Sequence, residues 1–233
     1  MFVVSGLGVP DSLKSLGVKI AVITNSSLVW REDAAEELVK ADWVSLKVDS
    51  VNSSTWKNVN RPYHPLKLET ILEGINKFSK SFEGVLATET MLVKGVKDNE
   101  EGISGVAEFP KGIRPDKAYV AIPTRPPPEN WVKPPPEKTV NLAYQMLKEK
   151  LEHVELLTGY EGNEFMSTGD VSENLLGITT VHPMRRDGTE RLLSTKGVSW
   201  KIVDKLIEDN KLKEVEYLGE KYYLRRPRQT RAE

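Results

Sequence analysis

Charged residues interrupt two segments that otherwise have the apolar pattern of buried strands. Lys47 and Asp49 lie at the end of the segment WVSLKVD, and Glu89 lies within VLATETM. A strand buried on both faces is expected to be apolar, so charges there need a specific reason. The i, i+2 spacing of Lys47 and Asp49 directs both side chains to one face. The pattern predicts either a polar binding site or a structural ion pair.

Further polar residues follow apolar strand-like segments, and each allows two interpretations. Asn25 and Ser27 come after the run VKIAVIT, where they can bind a ligand or cap the helix that follows. Thr124 and Arg125 end the segment AYVAIPTR. Arg125 can bind a carboxylate or phosphate through two parallel hydrogen bonds, or it can hold the proline-rich loop that follows.

Residues that bind metals are scarce in this sequence. The chain of 233 residues has three histidines and no cysteine. No pair of histidines has the spacing of a metal site. The lack of cysteine excludes disulfides, zinc–thiolate sites and a cysteine nucleophile.

The charge balance is close to neutral, with 33 Lys and Arg residues against 34 Asp and Glu residues. The chain therefore has no global field that favours nucleic acid or membranes. No apolar run approaches the roughly 18 residues of a membrane span. The first residues lack the basic and apolar regions of a signal peptide. We expect a cytoplasmic protein that does not associate with membranes.

Strand-like and helix-like segments alternate over the first two thirds of the chain. Strands are predicted at residues 2–8, 18–24, 43–48, 85–93, 118–123 and 154–157, and helices at residues 31–40, 65–82, 102–109 and 140–151. The third helix is expected to stop near Pro110, since proline lacks the N–H that a helix needs. The alternation predicts an α/β fold with a parallel sheet. Periodicity leaves open a doubly wound sheet, a barrel or a partial barrel.

The last third of the chain has a different pattern. It suggests three helices at residues 171–179, 189–193 and 199–209, and a hairpin formed by residues 213–217 and 221–226. This is the layout of a winged helix, and the glycines of residues 159–169 mark the boundary. We therefore predict one domain over residues 1–160 and a second, winged-helix-like domain over residues 165–233.

The end of the chain is basic. Residues 221–233 contain five positive residues, including Lys221, Arg225 and Arg226, and one negative residue. Such a stretch can contact the phosphates of RNA or DNA, or it can be an ordinary solvated terminus.

Several segments together carry a resemblance to a known family. They are ITNSSL at residues 23–28, ADWVSLKVDSVN with WKNVNRP at residues 41–62, ETMLVKGVKD at residues 89–98, PDKAYVAIPTRPP at residues 115–127 and GITTVHPMR at residues 177–185. With them the chain resembles an archaeal-type group of radical S-adenosylmethionine proteins. These are iron–sulfur oxidoreductases related to the wyosine tRNA-base synthases. The resemblance extends over residues 18–226.

The resemblance implies a partial TIM-type barrel with its active site at the carboxyl ends of the strands. In this family a CxxxCxxC loop after the first strand holds a 4Fe–4S cluster on cysteine thiolates, and S-adenosylmethionine is cleaved to a 5′-deoxyadenosyl radical. This chain has no such loop, begins where the family's second strand is expected, and is not expected to hold the cluster. Gly6 and Gly8 match a shortened form of the family's Gly-rich turn, in which Val9 replaces the usual glutamate.

The resemblance also implies roles for individual residues. The residues expected to bind S-adenosylmethionine are Gly6, Gly8, Asn25, Ser27, Lys47, Asp49 and Glu89. Those expected near the substrate are Arg61, Thr124 and Arg125.

The sequence leaves three functions open, and with them the question of whether this chain is an enzyme. The chain can be part of a radical enzyme whose cysteine loop is on a separate polypeptide, with RNA-base modification as the nearest analogue. It can be a non-catalytic module whose winged helix binds nucleic acid or a protein on a barrel scaffold. It can also be an inactive product in which an open sheet edge leads to homodimers or aggregates.

Overall fold

A computed structural model describes residues 17–96, 99–159 and 170–226, and the backbone of residues 2–5. The chain divides into two compact units. The sheet unit comprises Met1–Pro123 and Asn130–Thr158, and the C-terminal unit comprises Thr124–Glu129 and Gly159–Glu233. The short segment Thr124–Glu129 thus belongs to the C-terminal unit, although it follows the fifth strand of the sheet unit.

The described part of the sheet unit has six parallel strands and five helices. The strands are β1 (Phe2–Ser5), β2 (Ile20–Thr24), β3 (Trp43–Lys47), β4 (Val85–Met91), β5 (Lys117–Ala121) and β6 (Val154–Leu157). The helices are α1 (Glu32–Leu38), α2 (Ser53–Asn60), α3 (Leu68–Ser81), α4 (Glu100–Ile113) and α5 (Glu137–Lys148). The prediction of an α/β fold with a parallel sheet is confirmed.

The strands lie in the sheet in the order of the sequence, from β1 to β6. Because crossovers between parallel strands are almost always right-handed, this order places successive helices on the same face. A doubly wound sheet would reverse its order at one point, whereas a barrel keeps it. The sheet is therefore wound like part of a TIM-type barrel, which resolves the alternatives that periodicity left open.

The core lies between the sheet and its helices. Alternate residues of the strands, among them Val22, Val44 and Leu46, share one buried cluster with residues of α3, among them Ile71 and Ile75. The intervening residues point to the opposite face, which we call the open face. It carries Ile23, Val85, Lys47, Glu89 and Tyr119, and Ile23 and Val85 are 45% and 43% exposed.

Two helices differ from the prediction. Helix α4 does not stop near Pro110 but continues to Ile113, whose side chain is buried in the core and holds the last turn. Helix α2 was not predicted, because its sequence SSTWKNVN has one buried residue, Trp56, and no apolar stripe. Asn52 begins α2 by accepting hydrogen bonds from the backbone N–H groups of Ser54 and Thr55.

Close packing of α3 fixes the loop after β2. A Cβ atom on Gly74 would lie 2.5 Å from the Cα atom of Trp30. Any larger residue at this position would push α3 away from the loop. The glycine therefore determines how the loop that contains Ser26 is held at the carboxyl end of the sheet.

The described part of the C-terminal unit has three helices and three short strands. They are α6 (Val171–Val181), β7 (Met184–Arg185), α7 (Arg186–Thr195), α8 (Lys201–Glu208), β8 (Leu212–Tyr217) and β9 (Glu220–Arg225). The antiparallel sheet has the order β7-β9-β8, and its core includes Leu175, Met184 and Tyr223. Strand β7 has two residues, too few for a sequence pattern to show. In the part of the chain that is described, no helix combines the length and apolar character that crossing a membrane requires.

Candidate functional site

Three of the predicted site residues meet at the carboxyl ends of β3 and β4. The Nζ atom of Lys47 lies 2.8 Å from Oε1 of Glu89 and 3.7 Å from Oδ1 of Asp49. Lys47 and Glu89 are register partners in adjacent parallel strands, so their side chains leave the sheet on the same face. The side chains of Lys47 and Glu89 are 25% and 22% exposed, whereas that of Asp49 is fully buried. We call these three residues the Lys47 cluster.

Asp49 holds the cluster in place. Its Oδ1 accepts a hydrogen bond from the backbone N–H of Met91 at 2.9 Å, and its Oδ2 accepts one from Nδ2 of Asn60 at 2.7 Å. These bonds connect the end of β3 to β4 and to the last residue of α2. A buried carboxylate needs such partners, because an unpaired charge in the interior is costly. Asp49 is thus a positioning residue, while Lys47 and Glu89 can reach a ligand.

The electrostatics of the cluster favour a charged lysine. Burial of Lys47 opposes its charge, but the nearby carboxylates of Asp49 and Glu89 outweigh burial and raise the pKa of Lys47 above its usual value. Within the cluster two carboxylates face a single ammonium group. This arrangement suits a ligand that brings hydroxyl or ammonium groups.

Two buried polar atoms have no hydrogen-bond partner among the described residues. They are Oδ1 of Asn60, whose Nδ2 contacts Asp49, and Oγ of Ser26, in the loop after β2. Ser26 is 1% exposed and adopts φ 62°, a left-handed conformation that is unusual for a residue with a Cβ atom. An unsatisfied buried polar group costs about 1–3 kcal/mol, so each one calls for an explanation. A polar ligand at this end of the sheet would supply the missing partners.

A polar row extends from the cluster across the open face. Register pairs Glu89 with Tyr119, and Tyr119 with Glu155. Glu155 accepts a hydrogen bond from Lys117 at 2.7 Å in a second Lys–Glu pair, whose side chains are 41% and 51% exposed. Burial raises the pKa of Tyr119. The second pair is more exposed than the first and lies on the strands nearer the edge.

Asn25 and Ser27 contact each other rather than the Lys47 cluster. Oδ1 of Asn25 accepts a hydrogen bond from the backbone N–H of Ser27 at 3.0 Å. This is a local turn, and α1 begins later, after Arg31. Their predicted role in binding is untested and stays a prediction. Gly6 and Gly8 lie outside the described residues.

Thr124 and Arg125 belong to the C-terminal unit, although they follow β5 in the sequence. The carbonyl oxygen of Thr124 accepts a hydrogen bond from the hydroxyl of Tyr222 at 3.0 Å. The guanidinium of Arg125 contacts Nδ1 of His182. The role of Arg125, in binding a ligand or in holding its loop, stays a prediction. Arg61, the other residue expected near the substrate, is exposed and directly follows Asn60 at the end of α2.

Two of the basic residues near the end of the chain have partners within the C-terminal unit. Lys221 donates to Glu214 at 2.7 Å, and Arg225 donates to Oγ1 of Thr180 at 3.1 Å. The backbone N–H of Arg226 donates to the carbonyl of Lys211 at 2.8 Å. Nucleic-acid binding by these residues stays a prediction.

Sequence reasoning missed Asn60, Ser26 and Tyr119. Asn60 lies in the unpredicted helix α2. Because Asn60 is remote from β3 in the sequence, no local pattern indicates its contact with Asp49. Ser26 stands between the two residues that were selected, so the segment was recognised but the buried position was not. Once the strand register is known, the i, i+2 spacing of Lys117 and Tyr119 places Tyr119 on the open face beside Glu89.

The residues present do not fit an iron–sulfur cluster. The sequence has no cysteine, and the described residues contain no group of three His, Cys, Asp or Glu side chains that could hold a metal ion. They do fit a polar organic ligand, because the Lys47 cluster and the unpaired atoms of Asn60 and Ser26 offer donors and acceptors.

Comparisons with known proteins agree with this fold. The sheet is similar to a domain of pyruvate-formate lyase-activating enzyme from Bacteroides vulgatus, with a TM-score of 0.51 and 18% identity over 66% of this chain and 97% of that one. A radical SAM methyltransferase from Sphaerobacter thermophilus is also similar, with a TM-score of 0.48 and 17% identity over 61% of this chain and 41% of that one. The first of these shows a shared fold.

The sequence comparison identifies the family. No family model matches the chain. A UPF0026 protein of Methanocaldococcus jannaschii is 40% identical over 217 residues, which make up 92% of this chain and 68% of that protein. The chain belongs to the UPF0026 family.

Proposed function

We propose that this UPF0026 chain is the S-adenosylmethionine-binding part of a radical enzyme system and does not itself carry out the radical reaction. The observation that carries the proposal is the Lys47 cluster at the carboxyl ends of β3 and β4, to which Asn60 is bound through Asp49. The carboxyl end of a barrel-type sheet is where such folds bind their ligands. The resemblance of the sequence to radical S-adenosylmethionine proteins supplies the identity of the ligand.

The roles of the residues follow from their chemistry. Glu89 is partly exposed and can accept hydrogen bonds from ribose hydroxyls or from the methionine ammonium group. Oδ1 of Asn60 is a further acceptor, and Oγ of Ser26 can donate or accept. Lys47 keeps its charge and orients Glu89. S-adenosylmethionine supplies the adenosyl group from which this class of enzymes generates its radical.

The 4Fe–4S cluster of such a system needs ligands from outside these 233 residues, because thiolates are its usual ligands and this sequence has no cysteine. We therefore propose a separate cysteine-bearing polypeptide as the partner. Reconstitution of this chain alone with iron and sulfide should give no absorbance of an iron–sulfur cluster. Reconstitution in the presence of the partner should produce that absorbance. RNA-base modification as the reaction, and dimerisation through an open sheet edge, stay predictions of the sequence.

Equilibrium dialysis with radiolabelled S-adenosylmethionine tests the binding site. The wild-type chain should bind saturably, and Glu89→Gln should weaken binding about tenfold or more, since hydrogen bonds to a charged group contribute about 1.5–3 kcal/mol. Glu155→Gln is the matched control, because Glu155 also pairs with a lysine on the open face but lies at the exposed edge. It should change the affinity by less than about twofold.

Two outcomes would overturn the proposal. One is the absence of saturable binding by the folded wild-type chain. The other is an equal loss of affinity in Glu89→Gln and Glu155→Gln, since this would show that binding follows the charge of the open face rather than the Lys47 cluster. Thermal melts of all three proteins establish that each is folded.

The order of elements in the C-terminal unit supports a second proposal, that this unit is a winged helix and serves as an interaction module. Its helices α6, α7 and α8 precede the β8–β9 hairpin, and β7 completes the small sheet. A gel shift that falls with salt and is weakened by the double variant Arg225→Ala, Arg226→Ala would support nucleic-acid binding by this unit. No shift at low salt would exclude it.

A further inference from the structure

The connection between α2 and α3 presents an unusual set of exposed side chains. It begins at Arg61 and ends before Leu68, and its residues Arg61, Tyr63 and His64 are exposed. Tyr63 is 77% exposed, more than any other large hydrophobic residue described. We call residues 61–67 the Tyr63 loop. The ring of Tyr63 is therefore accessible to a partner that stacks on aromatic side chains.

The sequence segment that contains the Tyr63 loop has basic residues and no acidic ones. Residues 50–68 contain Lys57, Arg61 and Lys67 and no Asp or Glu, which gives the segment a formal charge of +3 in a chain whose net charge is -1. Lys57 and Lys67 are exposed. This segment is therefore better suited to an anionic ligand than the chain as a whole.

The backbone of the loop is stiff. Pro62 and Pro65 restrict it, and the backbone N–H of Leu66 donates to the carbonyl of Tyr63 at 2.9 Å. At its start, Asn60 is tied to the buried Asp49 at 2.7 Å. This tie places the loop at the carboxyl end of the sheet, the same end as the Lys47 cluster. A fixed backbone presents Arg61 and Tyr63 at little entropic cost to binding.

Arg61 has a close structural counterpart, which makes a control available. Arg61 ends α2 with φ 44° and ψ 56° and precedes Pro62, while Arg114 ends α4 with φ 47° and ψ 61° and precedes Pro115. Arg114 leads into β5 and lies at the amino end of the sheet. The two arginines share conformation and exposure, but only Arg61 has an exposed tyrosine beside it.

We propose that the Tyr63 loop binds single-stranded nucleic acid. Tyr63 stacks on a base, and Arg61, with Lys57 and Lys67, contacts the phosphates on either side. Stacking of bases on aromatic side chains within a basic surface is the general mode of single-strand recognition. A lone projecting ring requires an unstacked base, which a duplex does not offer. The inference does not depend on S-adenosylmethionine binding, because none of the side chains proposed to contact the nucleic acid belongs to the Lys47 cluster.

Fluorescence anisotropy with labelled RNA and DNA oligonucleotides of about 10 nucleotides tests the proposal on the full chain. Tyr63→Ala should weaken binding about 5- to 150-fold, the range measured for loss of one stacked base. Arg61→Gln should reduce the slope of log affinity against log salt by about 0.7, the value for one phosphate on a single strand. Arg114→Gln removes the same charge from the opposite end of the sheet and should leave both affinity and slope unchanged.

Three outcomes would overturn the proposal. The wild-type chain does not bind at low salt, Arg61→Gln and Arg114→Gln change the affinity and the salt dependence equally, or Tyr63→Ala keeps the wild-type affinity. Binding that is lost in the Arg225→Ala, Arg226→Ala double variant but kept in Arg61→Gln would place the site in the C-terminal unit instead. The RNA and DNA arms identify which nucleic acid is preferred, and Tyr63 is too exposed for its replacement to unfold the chain.

Discussion

Carboxylates are used in opposite ways at the two ends of the parallel sheet. At the amino end, Oδ2 of Asp42 accepts a hydrogen bond from the backbone N–H of Ile20 at 2.7 Å. Oδ2 of Asp116 accepts one from the backbone N–H of Leu86, also at 2.7 Å. Each aspartate fixes the beginning of a neighbouring strand. These carboxylates are part of the scaffold.

At the carboxyl end, carboxylates gather around a side chain instead. Asp49 and Glu89 face Lys47, and Asp49 also accepts a hydrogen bond from Asn60. In barrel-type folds the amino end contributes stability and the carboxyl end contributes function. The difference teaches that residue type alone does not identify a site. The contacts of a carboxylate, rather than its residue type, show whether it fixes the start of a strand or joins a cluster of side chains.

The largest expected effect is from Asp49→Ala. This change leaves Lys47 with one carboxylate and removes the acceptor for Asn60 and for the backbone N–H of Met91. We expect a loss of about 3–5 kcal/mol in the free energy of unfolding, typical of breaking a buried ion pair. Urea titration followed by circular dichroism measures it. A loss below about 1 kcal/mol would show that Asp49 is not a structural centre of the cluster.

Lys47→Met should cost somewhat less, about 2–3 kcal/mol, because Glu89 remains partly hydrated. The pKa of Lys47 is raised in the folded chain, so its contribution is fully present below the ordinary lysine pKa of about 10.4 and is lost as the pH rises through the higher folded value.

The pH dependence of this difference is a sharper test than its size. Wild type and Lys47→Met should differ by a constant free energy of unfolding from neutral pH up to about pH 10, and the difference should shrink above that. Urea titrations at a series of pH values measure it. A difference that already shrinks between pH 7 and pH 9 would mean that Lys47 is not held by its carboxylates.

Asp116→Ala tests the other end of the sheet. It removes the acceptor for the backbone N–H of Leu86 and should cost about 1–2 kcal/mol of stability. Dialysis should show unchanged affinity for S-adenosylmethionine in the folded variant. If Asp116→Ala weakened that binding as much as Glu89→Gln, the proposed division between the two ends would be wrong.

The smallest expected effects are increases in stability. Arg61→Gly and Arg114→Gly each replace a left-handed residue at a helix end by the residue best suited to it. Each should raise the free energy of unfolding by about 0.5–1 kcal/mol. This figure already includes the opposing effect of glycine, which increases the entropy of the unfolded chain. Thermal melts measure both. If the stability decreased in Arg61→Gly but increased in Arg114→Gly, the Arg61 side chain would contribute to folding.

The sequence predicted the sheet well, because its strands are short, mainly apolar segments that alternate with helix-like segments. All six strands of the sheet unit overlap the predicted segments, from β1 (Phe2–Ser5) to β6 (Val154–Leu157). The order of the strands could not be derived from periodicity, since a doubly wound sheet and a barrel have the same alternation.

Helices that depend on tertiary contacts were harder to predict. The last turn of α4 extends beyond Pro110 because Ile113 is buried, and a local rule for proline does not include that burial. Helix α2 lacks an apolar stripe. It is held by the burial of Trp56 and by the hydrogen bond from Asn60 to Asp49. Both cases show tertiary packing overriding local pattern.

The sequence singled out the charged residues of the Lys47 cluster but not the polar residues of the adjoining segments, and the role of the cluster in binding stays a prediction. Lys47, Asp49 and Glu89 stood out because charges in buried strands are rare. Asn60 and Ser26 did not, because an amide or hydroxyl in a loop has many ordinary explanations. The placement of Thr124 and Arg125 in the C-terminal unit depends on contacts with Tyr222 and His182, far along the chain.

The most direct test of the central claim is a map of backbone amide chemical shifts during titration of the isotopically labelled chain with S-adenosylmethionine. Our account predicts that the amides of Lys47, Glu89 and Asn60 shift with saturation, while those of Ile20 and Leu86 at the amino end stay in place. Shifts centred on the amino end, or a spectrum that S-adenosylmethionine leaves unchanged, would contradict it.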